Sequence, residues 1–211
     1  MTEVELAQKF INYLSDQYEI YKEVPAGGII DIVAVSGIIK IGVEVKTSLN
    51  FDVLEQAFSN KRFCHYSYAA VPFSPNRSFS LKICEDYGIG LLTWNKRDWK
   101  GSGIKEDVKP KFNRSVRTLK LEEWMKRSVA GSQNDRMTAF KVTIENMANH
   151  ILRYPGCSLS DCLKEVDYHW NTFSSAKSCA YQWIRNGVIK EFTLIDNKLQ
   201  LTEYGKTKYS R

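Results

Sequence analysis

Residues 29–46 read IIDIVAVSGIIKIGVEVK, two apolar and β-branched runs in which Asp31, Glu44 and Lys46 are charged residues of particular interest. Such runs predict two strands, and Ser36-Gly37 between them predicts the two-residue turn of a β-hairpin. An unpaired ionised group inside a buried strand costs several kcal/mol. We therefore expect the three charges to face a partner, a cation or a cleft.

The turn fixes which side chains share a face of the predicted hairpin. With Ser36-Gly37 as the turn, the pairing places Asp31 opposite Gly42. Because side chains alternate along a strand, Glu44 and Lys46 share the face of Gly42 and therefore that of Asp31. A glycine opposite Asp31 would also leave room for a metal ion or a phosphate. The alternative is a structural ion pair between Lys46 and one of the acids in an inert sheet.

Two carboxylates on one face supply the oxygen ligands that Mg²⁺ prefers, and Mn²⁺ accepts the same ligands. A lysine two residues after the second acid can position the attacking water or neutralise charge on a scissile phosphate. The pattern therefore predicts metal-assisted hydrolysis of a phosphodiester bond.

Asp31, followed by Glu44-Val45-Lys46 on the next strand and preceded by a helix that contains Glu5, resembles the motif of the PD-(D/E)XK nuclease superfamily. That superfamily includes restriction endonucleases and archaeal Holliday-junction resolvases, and the resemblance covers roughly residues 3–94. It implies that Asp31 and Glu44 hold the metal ion and that the Val45 carbonyl is a further ligand. Lys46 would be the catalytic lysine.

The resemblance implies two further catalytic residues. Glu5 is similar to an acid that many members place near the metal from the first helix, although a glutamate in a first turn is also favoured by the helix dipole. Gln56 is similar to a glutamine on the helix after the motif, and the alternative is an ordinary surface or capping residue. Ile30 stands where the motif often has proline, and Asn60 stands where the exonuclease-like branch has tyrosine.

Outside the hairpin, the periodicity of apolar residues predicts a mixed sheet flanked by helices in residues 1–127. The resemblance identifies this α/β layout with the restriction-endonuclease-like fold. Residues 128–137 include the polar stretch SVAGSQND and predict a linker. Residues 138–211 predict three helices and a β-hairpin, the layout of a small winged helix-turn-helix domain.

Charge is distributed unevenly along the 211 residues, whose net charge is +6. Residues 1–60 carry −5, residues 61–127 carry +8 and residues 128–211 carry +3. An acidic region beside a basic one is expected where a cation site adjoins a polyanion-binding surface, and the alternative is a solvated face of lysines. The basic residues that we predict to contact DNA phosphates are Lys96, Arg97, Lys100, Lys109, Lys111 and Arg114.

The third helix of the C-terminal domain predicts a second contact with DNA. Its apolar stripe, which includes Ala176 and Ala180, faces inward, so its outer face presents groups suited to phosphates and base edges. These groups belong to Ser175, Lys177, Gln182 and Arg185. Winged helices also dock on proteins, so a protein partner is the alternative for this domain.

The five cysteines form no Cys-x-x-Cys pair, and free thiols in a reducing compartment are the simplest interpretation. A zinc set of Cys157, Cys162, His169 and Cys179 would have a spacing that fits no common zinc finger. No apolar run reaches the length of a membrane span, and the first residues are acidic where a secretory signal would be basic. We therefore expect a cytoplasmic protein without a membrane partner.

The function that the sequence predicts is a Mg²⁺-dependent DNA endonuclease. Its partner is DNA, and since superfamily members often dimerise, a homodimer or a larger nucleoprotein complex is a further expectation. One alternative is a non-cleaving DNA-binding or adaptor protein that keeps the nuclease fold. Another is a nuclease subunit that is active only within a multi-component restriction, transposition or phage–host conflict system.

Overall fold

A computed structural model describes residues 1–97, 101–132 and 136–209. The chain divides into two compact units, Met1–Met137 and Thr138–Arg211. The predicted linker, residues 128–137, falls within the first unit, where Ser128 and Ala130 are buried. Across the described ranges, no helix combines the length and apolar character that crossing a membrane requires.

The described part of the first unit alternates helices with the strands of one sheet. Its elements are α1 (Glu3–Ser15), β1 (Glu19–Pro25), β2 (Ile29–Ser36), β3 (Ile39–Val45), α2 (Phe51–Asn60), β4 (Tyr66–Pro72), α3 (Ser78–Tyr87), β5 (Gly90–Trp94), β6 (Ile104–Val108) and a 3₁₀ helix (Glu123–Arg127). The sheet order is β1–β2–β3–β4–β5–β6. Strands β3, β4 and β5 run parallel, and the other neighbours are antiparallel. The expected α/β class, a mixed sheet flanked by helices, is confirmed.

Each face of the sheet is covered by helices whose apolar stripes match it. Helix α1 buries Leu6, Ala7 and Phe10 against one face, where β2 and β3 contribute Ile32 and Val43. Helices α2 and α3 cover the other face, with a core cluster of Val53, Leu54, Ala57, Ala69, Val71, Cys84, Ile89, Leu91 and Val108. Because Asp31 and Glu44 alternate with the residues that face α1, their side chains belong to the α2 side of the sheet.

The hairpin turn lies one residue later than we predicted. Ser36 pairs with Ile39, so Gly37 and Ile38 form the turn. Gly37 has a φ of +57°, which glycine adopts without strain, and Ile38 is 81% exposed. This register places Val33 opposite Gly42, so the predicted pairing of Asp31 with Gly42 is wrong. Moving both ends of the turn by one residue shifts the pairing by two, so the predicted faces are unchanged.

The second unit contains helices followed by a two-stranded hairpin. Its described elements are α4 (Ala139–Arg153), α5 (Leu159–Glu165), α6 (Phe173–Arg185), β7 (Phe192–Ile195), β8 (Lys198–Leu201) and α7 (Glu203–Tyr209). The order of α4 to β8 is the predicted one, and α7 is an addition. Three helices start at side-chain caps, which are Thr138, Ser158 and Thr172. A core around Met147, Leu163 and Leu199 joins the helices to the hairpin.

Candidate active site

Three carboxylic acids form a row across β1, β2 and β3, near the end of the sheet at which β3 stops. Glu23 lies between Lys22 and Val24, which pair with Ile32 and Ile30 on either side of Asp31. Asp31 and Glu44 are the residues next to the last pair of β2 and β3, Ile32 with Val43. All three residues are buried, with exposed fractions of 6%, 8% and 3%. Buried acids at neighbouring positions repel one another when ionised, so this row favours either protons or a bound cation.

Hydrogen bonds fix one carboxyl oxygen of Asp31 and one of Glu44. The backbone N–H of Val45 donates to Oδ2 of Asp31 at 2.8 Å. The Nδ2 atom of Asn60, the last residue of α2, donates to Oε2 of Glu44 at 3.1 Å. The strand that carries Glu44 and the helix that covers it therefore hold the two carboxyl groups in place.

Glu23 is a third acid of the site that we did not predict. Its φ of +55° lies in the left-handed region, which costs a non-glycine residue about 1–3 kcal/mol. Its Oε1 accepts a hydrogen bond of 2.7 Å from the backbone N–H of Gly131, and Gly131 also packs against the backbone of Glu3. The segment that follows the 3₁₀ helix thus forms one wall of the site.

Lys46 brings a positive charge to the acids. It follows the last residue of β3, and its Nζ lies 3.4 Å from Oε2 of Glu3, in the first turn of α1. Both side chains are about one-third exposed, at 28% and 33%. The ion pair therefore sits at the rim of the site, with the three buried acids behind it.

The electrostatics of the row follow from burial and mutual repulsion. Burial raises the pKa of Glu44, and the neighbouring Asp31 charge raises it further. Burial also raises the pKa of Asp31, against the N–H of Val45 and the charge of Lys46, which lower it. The pKa of Glu23 rises to about 7, mainly through burial, and Asp31 adds to the effect. All three acids thus bind protons more tightly than in water.

Two of the predicted catalytic residues lie away from this row. The Glu5 side chain accepts a hydrogen bond of 2.8 Å from the N–H of Thr2, and the two residues form a capping box at the start of α1. Gln56 is on the exposed face of α2. Glu3, two residues before Glu5, contacts Lys46 instead. Asn60, four residues after Gln56 on α2, donates the hydrogen bond to Glu44.

The space beside Gly42 is filled by protein. A Cβ atom at this position would lie 2.9 Å from Sγ of Cys64 and 3.6 Å from Cβ of Asn60. The glycine is therefore needed for the close approach of the segment after α2, and the expectation that it leaves room for a metal ion or a phosphate is wrong.

The basic residues after β5 divide between two ends of the sheet. Lys96 and Arg97 follow β5, which runs parallel to β3, so they emerge at the same end as Lys46. The residues after β6 emerge at the opposite end, since β6 is antiparallel to β5. There the N–H of Lys111 donates to the carbonyl of Gly88 at 3.1 Å. Lys109 and Arg114 flank Lys111, and Lys100 lies outside the described residues.

In the second unit, the outer face of α6 carries most of the predicted DNA-binding groups. Lys177, Gln182 and Arg185 lie on the exposed face of the helix together with Ser174, Ser178, Tyr181 and Asn186. Ser175 instead forms the capping box of α6 with Thr172. The Arg185 guanidinium lies 5.6 Å from the centre of the Tyr181 ring, a cation–π contact.

Sequence analysis missed Glu3, Glu23 and Asn60, and the sequence carries a signal for Asn60. Asn60 continues the buried stripe of Val53 and Ala57 on α2, and a polar residue in such a stripe indicates a buried partner. Glu23 lies near the end of β1, and its position beside Asp31 depends on the length of the loop that follows β1.

Comparison with protein-family models, with curated proteins and with solved structures finds no match for this chain. Its function is therefore inferred from the residues and their geometry.

Proposed function

We propose that this protein is a metal-dependent DNA endonuclease that hydrolyses phosphodiester bonds. The observation that carries the proposal is the row of Glu23, Asp31 and Glu44 with Lys46 at its rim. A cluster of acids at the end of a sheet, with a lysine beside it, supplies cation ligands and a group that can reach an attacking water or a phosphate.

The donor set fits Mg²⁺ or Mn²⁺. Asp31 and Glu44 offer carboxylate oxygens, which hard divalent ions prefer, and the Val45 carbonyl is the further ligand that the resemblance implies. One oxygen of each acid is already held by a hydrogen bond, so the carboxyl groups need little reorganisation. Their raised pKa values indicate charge that nearby protein groups do not fully compensate, and a divalent cation would compensate it.

The other side chains of the site would each have a separate role in the reaction. A bound Mg²⁺ would polarise the scissile phosphate and acidify a water molecule. Lys46 would position that water and stabilise the charge that develops on the phosphate, while Glu3 orients the lysine through the 3.4 Å ion pair. Glu23 lies next to Asp31 and is the candidate for a second cation or for accepting a proton from the water.

The fold supports the same assignment. An N-terminal helix, an antiparallel meander with an acid on β2 and Glu-x-Lys on β3, and a helix before a parallel β4 follow the element order of the restriction-endonuclease-like core. In the second unit, helices α4 to α6 followed by the hairpin β7–β8 follow the order of a winged helix. We assign the outer face of α6 to DNA contact because basic and small polar groups line it.

Nicking of supercoiled plasmid tests the proposal. The purified full chain is incubated with Mg²⁺ or Mn²⁺, with and without chelator, and Lys46→Ala is compared with Lys40→Ala, which removes a lysine from the other end of β3. We expect metal-dependent nicking that Lys46→Ala abolishes and Lys40→Ala retains. Equal nicking by both variants contradicts the proposal.

A second experiment separates the adaptor alternative. The adaptor predicts salt-sensitive DNA binding that neither chelator nor Asp31→Asn alters, with no cleavage of linear, branched or single-stranded DNA. Cleavage that appears only after a partner from the native host is added identifies a subunit of a larger system.

A further inference from the structure

A group of soft metal ligands lies in the second unit, outside the carboxylate site. It consists of His150 on α4, Cys157 in the loop after α4 and Cys162 on α5. The ligand atoms of these three side chains all lie within 4.8 Å of one another. Cys162 is fully buried, and the other two residues are half-buried, so the cluster opens from the core to the surface on one side.

The local chain path brings the three residues together. Helix α4 ends at Arg153, and Gly156 turns the chain with a φ of +85°. This turn returns Cys157 to the last turn of α4, where His150 lies. The backbone carbonyl of Cys157 then accepts a hydrogen bond of 2.9 Å from the N–H of Leu199, on β8. The cluster therefore lies at the junction of α4, α5 and the hairpin.

The grouping differs from the set of Cys157, Cys162, His169 and Cys179, whose spacing fits no common zinc finger. The Nδ1 atom of His169 lies 3.0 Å from Oγ1 of Thr143, and this contact joins the residue to α4. Cys179 lies on α6, and among the described residues it is not a member of the ligand group. His150 was missed because it precedes Cys157 by seven residues, and only the turn at Gly156 makes them neighbours.

We propose that His150, Cys157 and Cys162 bind one Zn²⁺ ion. Two thiolates and an imidazole are ligands that Zn²⁺ prefers, whereas Mg²⁺ prefers oxygen. In a tetrahedral site with the usual Zn–S and Zn–N bond lengths, ligand atoms lie about 3.5–3.8 Å apart. The present separations of up to 4.8 Å therefore need side-chain adjustments of about an ångström.

Binding would replace two protons with the metal ion. Each thiol loses its proton to solvent and bonds to zinc as a thiolate, neutral His150 bonds through a ring nitrogen, and water fills the fourth position. No oxidation or reduction takes part. The bound ion would join the end of α4 to α5 and to the loop that is hydrogen-bonded to β8, so it would stabilise the second unit.

Cobalt substitution tests this site directly. Co²⁺ is added to the reduced, metal-free full chain, and the thiolate-to-cobalt charge-transfer band is followed as Zn²⁺ displaces it; elemental analysis counts the zinc. We expect one zinc ion per chain and a charge-transfer band of two thiolates. We also expect Zn²⁺ to stabilise the second unit. Its binding should slow the hydrogen exchange of backbone amides in α4 and β8.

Matched variants complete the test. Cys157→Ser and His150→Gln change half-buried side chains and should fold, as circular dichroism would verify, yet lose or weaken the band. Cys179→Ser removes a thiol from the same unit, and Asp31→Asn alters the carboxylate site; both should retain it. An unchanged band in Cys157→Ser, absence of zinc in the wild type, or a Cys157–Cys162 disulfide in freshly purified protein would overturn the proposal.

Discussion

The Nζ atom of Lys46 lies 3.4 Å from Oε2 of Glu3, while Glu5, two residues later in the same helical turn, points its carboxyl group at the N–H of Thr2. The first helix thus supplies one acid to the lysine of the site and another to its own cap. Because these two glutamates share a helix turn but not a role, they form a matched pair for mutagenesis.

The first prediction compares Glu3→Gln with Glu5→Gln. Loss of the Glu3 charge removes the ion pair that orients Lys46, and we expect plasmid nicking to fall about 10- to 100-fold, as for other groups that orient a ligand or catalytic side chain. Glutamine can replace glutamate in a capping box, so Glu5→Gln should cleave at the wild-type rate. A larger loss in Glu5→Gln than in Glu3→Gln contradicts this assignment.

The second prediction concerns pH and stability of the metal-free protein. Burial raises the pKa of Glu23 from its ordinary value of 4.5 to about 7. An acid whose pKa is raised in the folded state contributes its full stabilisation below pH 4.5. This contribution is lost as the pH rises through about 7. The free energy of unfolding of the first unit should therefore fall between pH 5 and pH 8, by on the order of 1–3 kcal/mol.

Hydrogen exchange of β2 and β3 amides, with chelator present, measures this change in the first unit alone. Glu23→Gln keeps an acceptor for the N–H of Gly131 but cannot ionise, so it should make the pH dependence of stability shallower. Stability that rises from pH 5 to pH 8, or a slope that the variant leaves unchanged, contradicts the electrostatic account.

The third prediction concerns packing under the site. In Gly42→Ala the new Cβ would lie 2.9 Å from Sγ of Cys64, and overpacking of this kind costs about 1–3 kcal/mol. Gly28→Ala is the control, because nothing lies within 4 Å of a Cβ at that position. Urea denaturation should show destabilisation in the first variant only. The double variant with Cys64→Ala should recover part of the loss.

The fourth prediction separates the two groups of basic residues. Charge reversal of Lys96 and Arg97, which emerge at the same end of the sheet as Lys46, should weaken DNA binding and nicking. The same reversal of Lys109 and Lys111, at the opposite end, should do so less. Fluorescence anisotropy at two salt concentrations measures both effects, and a shallower salt dependence is expected for the first pair. Equal losses would place DNA on both ends of the sheet.

Sequence analysis predicted the hairpin and the face that Asp31 and Glu44 share, and it placed the turn one residue too early. The predicted faces of Asp31 and Glu44 were correct because a turn displaced by one residue at both ends shifts the strand pairing by two residues. A shift of two residues leaves each side chain on the same face of the sheet. The partners of these acids were not predictable from the same pattern. Glu23 reaches the site through a loop that local periodicity does not encode, and the buried stripe of α2 indicates a partner for Asn60 without identifying it.

Other features were missed for a related reason. The charged stretch IKEDV forms β6 because its backbone pairs with β5, although its composition does not favour a strand. Likewise, α7 begins directly after β8, where sequence analysis ended the second unit with a hairpin. In each case a tertiary contact decides the local structure, and single-sequence propensities contain little information about such contacts.

The central claim is that Asp31 and Glu44 hold a divalent cation. The most direct measurement is an anomalous difference map from crystals of the full chain soaked with Mn²⁺ at a pH above the raised pKa values of the acids. We predict a peak between the carboxyl groups of Asp31 and Glu44 that Asp31→Asn removes. A map without a peak between these two residues at saturating Mn²⁺, or a peak that persists in Asp31→Asn, would contradict the account.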